Sequence, residues 1–152
     1  MPNWCENWLS IRSATRTVQD YLDDWKTASQ EPESAFSLTS FVPMPGGTWS
    51  HDWCMTHWGT KWDADAPDIE IVNEHHGCVR FGTAWAPPLP VVEALSRSHP
   101  ELDLILDFGD PAMGFAGRLA GSGGVLEQTE VPSGSPFAKW YRDMCACGDD
   151  ID

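Results

Sequence analysis

The residues between positions 51 and 78 include the side chains best suited to metal binding or to nucleophilic catalysis. They are His51, Cys54, His57, His75, His76 and Cys78. A zinc site needs four such ligands in tetrahedral reach, and a cysteine nucleophile needs a neighbouring base. His51, Cys54 and His57 are closely spaced, but nothing in the sequence shows that further ligands lie near them in the fold. We therefore expect no metal, no cofactor and no catalytic residue. Whether His51, Cys54 and His57 bind a metal stays an open question.

Other patterns typical of enzymes are weak. Carboxylates are numerous, but acid–base work on a glycoside would need a pair in which one member has a raised pKa, and spacing does not show this. The glycine-rich stretch at 120–124 lacks the following lysine and the strand-to-helix context of a phosphate loop. It is therefore interpreted as a hairpin turn. A protein without catalytic activity is the favoured class.

Tryptophan is dense in the segment 46–67, which includes the stretch "HWGTKWDA" at 57–64. Two interpretations stay open. Trp58 and Trp62 could fix the segment to the core, with Gly59 allowing the turn between them. Alternatively, the two indoles and Lys61 could form a binding surface, because tryptophan often anchors interfaces and a lysine can lie over an indole ring.

The charge of the chain limits its partners. Its 152 residues include 23 acidic and 9 basic ones, for a net charge of −14. Such a chain repels nucleic acid and anionic membranes and attracts basic proteins. The acidic residues that we expect on exposed rows are Asp20, Asp23, Asp24, Asp103 and Asp107, followed by a C-terminal group of Asp149, Asp150 and Asp152.

The first half of the chain predicts a strand over 4–12 and then a helix. Val18, Tyr21, Leu22 and Trp25 form one apolar face of that helix, and Ser13 or Thr15 is expected to cap its start. A second strand is predicted over 36–42, ending before the prolines. The tryptophan-rich segment 46–67 has no clear period and is interpreted as an ordered, irregular insertion.

The second half predicts a hairpin, a helix, a strand and a second hairpin. The strands of the first hairpin are expected at 69–73 and 78–85, and the helix carries an apolar stripe of Leu89, Val92 and Leu95. The next strand alternates through 102–107, and the last hairpin turns at 121–124. Two strand–helix–strand units of this kind predict an α+β fold with a ferredoxin-like split βαβ arrangement, an antiparallel sheet with helices on one face, and an extra C-terminal hairpin. We expect a single domain over 1–142 and an acidic tail over 143–152.

No apolar run is long enough to span a bilayer, and the first residues lack the pattern of a signal peptide. The five cysteines are an odd number, which favours reduced thiols over a disulfide framework. A soluble, cytoplasmic protein is therefore expected.

Four motifs in order carry a resemblance to a known family. They are "MPNWCENWLSI", "HWGTKWDA", "VRFGTAWAPP" and "FGDPAMGFAG". Together they resemble the YubB-like, or Api-like, ferredoxin-like domains of conjugative plasmids and prophages, whose function is unknown. The chain departs from the family pattern at His57, where asparagine is usual, and at Ala86, where serine is frequent. The resemblance implies a mobile-element setting in a bacterial host and brings no catalytic residue.

Charge and resemblance together lead to the expected function, a non-enzymatic inhibitor of a host defence system, of the anti-CRISPR or anti-restriction type. It would bind the basic nucleic-acid-binding surface of a nuclease or effector, with no direct contact to nucleic acid or membrane. The residues assigned to partner binding are Asp20, Asp23, Asp24, Asp103, Asp107, Trp58, Lys61 and Trp62. The alternative is a binding protein or enzyme for a nucleotide-like ligand, with a pocket formed by His57, Thr60, Lys61 and Asp63.

Overall fold

The computed structural model describes residues 4–31, 33–46, 49–110 and 115–131. The strands are β1 (Trp4–Arg12), β2 (Asp65–Asn73), β3 (His76–Ala84), β4 (Asp103–Asp110), β5 (Phe115–Ser122) and β6 (Val125–Val131). The helices are α1 (Val18–Ala28), α2 (His51–His57) and α3 (Leu89–Ser98), and a short 3₁₀ helix spans Leu38–Ser40. In the described part of the chain, no helix is long and apolar enough to cross a membrane.

The strands form one six-stranded sheet in the order β2-β3-β1-β4-β5-β6. Every neighbouring pair is antiparallel. The first four strands in this order, with α1 and α3 between them in the chain, form the split βαβ arrangement. The hairpin β5–β6 extends the sheet beyond β4. The expected α+β fold with an extra C-terminal hairpin is confirmed.

The two long helices cover one face of the sheet, which we call the inner face. Alternate residues of β1 point to it, namely Cys5, Asn7, Leu9 and Ile11, and all of them are buried. Val18, Tyr21, Leu22 and Trp25 of α1 and Val91, Val92 and Leu95 of α3 are buried in the same hydrophobic cluster as Leu9 and Ile11. The apolar face predicted for α1 is confirmed. In α3 the stripe is shifted, because Val91 is buried while Leu89 is only partly so.

The strand predicted over 36–42 is wrong. Those residues form a turn and the 3₁₀ helix, which is held by the carboxylate of Asp63. Ser37 Oγ donates to Asp63 Oδ2 at 2.5 Å, and the Leu38 amide donates to Asp63 Oδ1 at 2.7 Å. Phe36 and Leu38 are buried in the core, as their apolar side chains predict, although the backbone there does not form a strand. The second strand of the split βαβ unit is β2 instead, which begins at Asp65, within the last residues of the predicted insertion and earlier than the expected strand at 69–73.

The insertion is more regular than its sequence predicts. It contains α2, whose start is capped by Ser50, since Trp53 N donates to Ser50 Oγ. The cap expected for α1 at Ser13 or Thr15 is also corrected, because Thr17 Oγ1 accepts the amide of Asp20. The acidic segment 143–152 and its boundary with the domain lie outside the described residues.

The cap at Thr17 leads to a prediction. Replacing Thr17 with alanine removes the acceptor of the Asp20 amide and should lower the free energy of unfolding by about 1 kcal/mol. Thr17→Ser keeps the hydroxyl and is the matched control. Urea denaturation of both variants measures the difference, and equal midpoints for T17A and T17S would contradict this assignment of the cap.

Candidate functional site

The face of the sheet opposite α1 and α3, which we call the outer face, presents polar and aromatic side chains. On β1 it receives Trp4, Glu6 and Trp8, because successive strand residues point to opposite sides. Side chains on this face therefore contact one another, water or a partner.

One row of side chains crosses the outer face from β2 to β5. The strand register aligns Asp68 with Arg80, Arg80 with Trp8, Trp8 with Asp107, and Asp107 with Arg118. Arg80 Nη2 lies 2.9 Å from Asp68 Oδ2, and the Arg80 guanidinium carbon lies 4.5 Å from the centre of the Trp8 ring. Arg118 Nε lies 2.5 Å from Asp107 Oδ1. We call these five residues the charged row.

The adjacent row lies two residues away along β1 and β3 and has a different composition. Here the register aligns Asp65 with Gly82 and Gly82 with Glu6. Two exposed carboxylates therefore flank a residue without a side chain. This row and the edge of the charged row line a cleft of about 440 Å³, whose lining residues include Trp4, Glu6, Trp8, Asp65, Asp68, Arg80 and Gly82. Ala66, which also lines it, has a φ of +45°, a strained value for a residue with a side chain.

The outer-face cleft is joined to the tryptophan motif through Trp4. The rings of Trp4 and Trp62 are 6.0 Å apart, and Lys61 Nζ lies 4.7 Å from the centre of the Trp62 ring. Trp62 is 37% exposed. The indole N–H of Trp49 donates to the Lys61 carbonyl at 3.2 Å. The cleft thus has an aromatic, partly exposed rim.

Most other residues of "HWGTKWDA" support the fold. Trp58 is 2% exposed, and its indole N–H donates to the Val42 carbonyl at 2.8 Å. Thr60 is fully buried and donates to the Ala84 carbonyl at 2.8 Å. Gly59 has a φ of +76°, and a Cβ placed there would lie 2.7 Å from Pro90 Cδ. The ring of His57 stacks on Trp53 at 4.7 Å, and its Nδ1 lies 3.0 Å from the Trp53 carbonyl.

The structure places the residues assigned to partner binding in two classes. Asp20, Asp23, Asp24, Asp103 and Trp62 are exposed, and Lys61 is partly exposed. Trp58 and Asp107 are buried, so our placement of them on the surface is corrected. Asp107 is 8% exposed because the guanidinium of Arg118 covers its carboxylate, and Trp58 belongs to the core. The acidic residues at 149–152 lie outside the described residues.

The three cysteine thiols in the described part of the chain are placed unfavourably for nucleophilic chemistry. Cys5, Cys54 and Cys78 are buried. Burial raises the pKa of Cys5 to about 12 and also raises the pKa of Cys54, so both are protonated at neutral pH. Among the described residues, no group of three or more His, Cys, Asp and Glu side chains is placed to hold a metal ion. Cys54 is buried in α2, whereas His51 and His57 are exposed.

The comparisons with known proteins agree with this architecture. The sequence model of a family described as the ferredoxin-like domain in Api92-like protein matches residues 55–143, more than half of the chain. The chain belongs to this family. The crystal structure of a protein Api92 from Yersinia pseudotuberculosis is similar, with a TM-score of 0.60 at 11% identity, over 88% of this chain and 99% of that chain. A search of curated proteins found no match.

The family membership confirms the Api-like resemblance and the ferredoxin-like fold. At 11% identity, the similarity to the Api92 structure shows the fold alone. The candidate site of this family member therefore depends on its own geometry.

Sequence reasoning missed most of the cleft. Glu6, Trp8, Asp65, Asp68 and Arg80 were not assigned to any site. The available signal was the period of two along β1, which places Trp4, Glu6 and Trp8 on one face. The contribution of β2 and β3 depends on strand register, which the hairpin alone did not fix because β2 has irregularities between Asp65 and Asp68 and between Ile71 and Asn73.

The structural role of the motif leads to a second prediction. Thr60→Val keeps the shape but removes the hydroxyl donor of the Ala84 carbonyl, which still accepts from the Ala86 amide, so the change should cost about 0.5–1.5 kcal/mol of unfolding free energy. Lys61→Gln should cost less than about 1 kcal/mol, because an exposed cation–π contact contributes little. Thermal and urea denaturation compare the two. A larger loss for K61Q than for T60V would contradict the structural assignment.

Proposed function

We propose that this protein is a non-enzymatic, acidic interaction protein of phage or mobile-element origin. In the cytoplasm of a bacterial host, it would inhibit a defence system of the anti-CRISPR or anti-restriction type. It would do so by occupying the basic surface with which a nuclease or effector of that system binds nucleic acid. The mobile-element setting is inferred from the resemblance to plasmid and prophage proteins.

The single observation that carries the proposal is the net charge of −14. Few of the cations neutralise this charge locally. Arg16, Arg80 and Arg118 each pair with an aspartate. In the part of the chain that the structure describes, no ion pair involves Asp20, Asp23 or Asp103, and all three are exposed. Exposed, unpaired carboxylates of this kind speed association with a basic protein.

The existing contacts of the residues assigned to a nucleotide-like ligand argue against the ligand-binding or enzyme alternative. Of the four side chains assigned to a nucleotide-like ligand, three have other contacts. Thr60 donates to Ala84, Asp63 accepts from Ser37, Leu38 and Ala64, and His57 contacts Trp53. Only Lys61 keeps its charged group available, and it lies over Trp62.

One observation nevertheless favours the ligand alternative as a second candidate. A groove of about 330 Å³ runs beside the motif, and its lining includes Trp49, Trp58 and Trp62 together with the carboxylates of Glu31 and Asp63. Its aromatic wall suits a planar ligand; the two carboxylates oppose an anionic one, so binding of a nucleotide-like anion would depend on the ammonium of Lys61, which lies over Trp62. Lys61→Gln would abolish binding of such a ligand while leaving the capture of a basic protein unchanged.

The proposed function is tested by affinity purification from a bacterial lysate at rising ionic strength, followed by mass spectrometry. We expect a nucleic-acid-binding defence protein whose recovery falls severalfold between about 0.05 and 0.5 M salt, because salt screens exposed charges. Added to that partner, the chain should displace bound DNA or RNA.

Charge-neutralising variants give the matched control. D20N/D23N removes two carboxylates of α1, and D52N/E93Q removes two exposed carboxylates of other helices. The first pair should slow association several-fold more than the second, because two neighbouring charges on α1 concentrate the field that steers a basic partner, whereas Asp52 and Glu93 lie on separate helices. Recovery that ignores salt, or a partner without a nucleic-acid-binding surface, would refute the proposal.

A further inference from the structure

We infer that the outer-face cleft is the receptor for an arginine side chain of the partner protein, bound above Gly82 between Glu6 and Asp65. This inference rests on the proposed function in one respect, since the basic partner supplies the arginine. It adds the place of contact and the chemistry of recognition.

The charged row shows how this face binds a guanidinium. Arg80 lies on β3 between Asp68 on β2 and Trp8 on β1. Its guanidinium stacks on the indole ring at 4.5 Å and pairs with the carboxylate at 2.9 Å. A planar cation can make both contacts at once because its face meets the ring while its edge meets the carboxylate.

The next row also combines carboxylates with an indole ring but has no cation of its own, and here the cross-strand neighbours are two carboxylates while the indole of Trp4 lies diagonally. Gly82 stands on β3 where the charged row has Arg80, and Asp65 and Glu6 are its cross-strand neighbours. Trp4 supplies the aromatic ring, since a Cβ at Gly82 would lie 3.4 Å from Trp4 Cε3 and 3.8 Å from Asp65 Cβ. In the described part of the chain, neither Glu6 nor Asp65 makes an ion pair. Two carboxylates that flank a position without a side chain, next to the ring of Trp4, are complementary to a planar cation.

A second, independent feature concerns Trp8, which also lines the cleft. Its side chain is 6% exposed, and its indole N–H has no acceptor among the described residues. Buried indole N–H groups normally have a partner. The N–H itself is shielded from solvent, so a backbone carbonyl of the bound peptide would reach it only if the Trp8 ring shifts on binding.

Arginine suits the cleft better than the other groups that could enter it. The carboxylates disfavour an anion, and a purely apolar side chain would leave them without a counter-charge. A lysine ammonium would satisfy the carboxylates but would cover Trp4 less completely than a planar guanidinium. Nucleic-acid-binding surfaces are rich in arginine, which connects the cleft to the proposed partner class.

The test is an NMR titration of the full chain with the capped peptide Gly-Gly-Arg-Gly-Gly, following the Gly82 amide and the indole N–H signals. We expect saturable shifts at Gly82 and at Trp4 and Trp8. The same peptide with citrulline, which is uncharged and nearly isosteric, should bind at least about tenfold more weakly. This titration requires no host protein, so its failure is distinct from a failure of the lysate experiment.

Variants locate the site. E6Q/D65N should weaken the arginine peptide about tenfold, and the charge-matched D52N/E93Q should change it by less than about twofold. Gly82→Arg should abolish binding, because the guanidinium of the introduced side chain would occupy the cleft. Gly82→Ala adds a Cβ at ordinary contact distance and should retain binding, so it controls for loss of fold.

Three results would overturn the inference. The first is equal binding of the arginine and citrulline peptides, and the second is equal weakening by E6Q/D65N and D52N/E93Q. The third concerns two cations of the C-terminal segment, Lys139 and Arg142. If K139Q/R142Q raises the affinity for the peptide tenfold, the chain's own cations compete for the cleft, and the receptor is not one for a partner. An unchanged affinity supports the inference.

Discussion

A six-stranded sheet covered by long helices on one face must satisfy its other face by different means, and this constraint shapes the rest of the molecule. In the charged row, which crosses five strands, ion pairs and a guanidinium stacked on an indole ring pair the polar groups of that face. The exposed Arg80–Asp68 pair contributes at most about 1 kcal/mol, and the Arg118–Asp107 pair gives the buried Asp107 carboxylate its counter-charge. The same arrangement leaves the adjacent row of Asp65, Gly82 and Glu6 with negative charge and an aromatic neighbour.

The tryptophan-rich insertion supports this face from one end. Trp58 enters the core, Thr60 binds the last carbonyl of β3, and Asp63 holds the 3₁₀ helix. With these three side chains committed to the fold, Lys61 and Trp62 remain at the surface beside Trp4. The family motif therefore positions the rim of the cleft, and the sequence feature that is most recognisable is mainly structural.

The sequence predicted the elements with strong periodicity. β1 alternates between the two faces, α1 has its predicted apolar face at Val18, Tyr21, Leu22 and Trp25, and the glycines at 121–124 mark the turn of the last hairpin. It failed at Phe36–Val42, where apolar residues suit a strand but the Asp63 carboxylate, distant in sequence, stabilises a turn. The site was missed for a similar reason. Asp107 alternates with Asp103 as an exposed residue would, and only the register with Arg118 on β5 shows that it is covered. Both the turn at 36–42 and the burial of Asp107 depend on residues distant in sequence, which a local sequence pattern cannot predict.

The central claim is that this acidic family member recognises a basic partner through the outer face of its sheet. A crystal structure of the chain with the bound arginine peptide tests the claim most directly. The account predicts a guanidinium above Gly82, within about 4 Å of both the Glu6 and Asp65 carboxylates and stacked on Trp4. A peptide seated on α1, or in the groove beside Trp49, with the outer-face cleft left unoccupied, would contradict it.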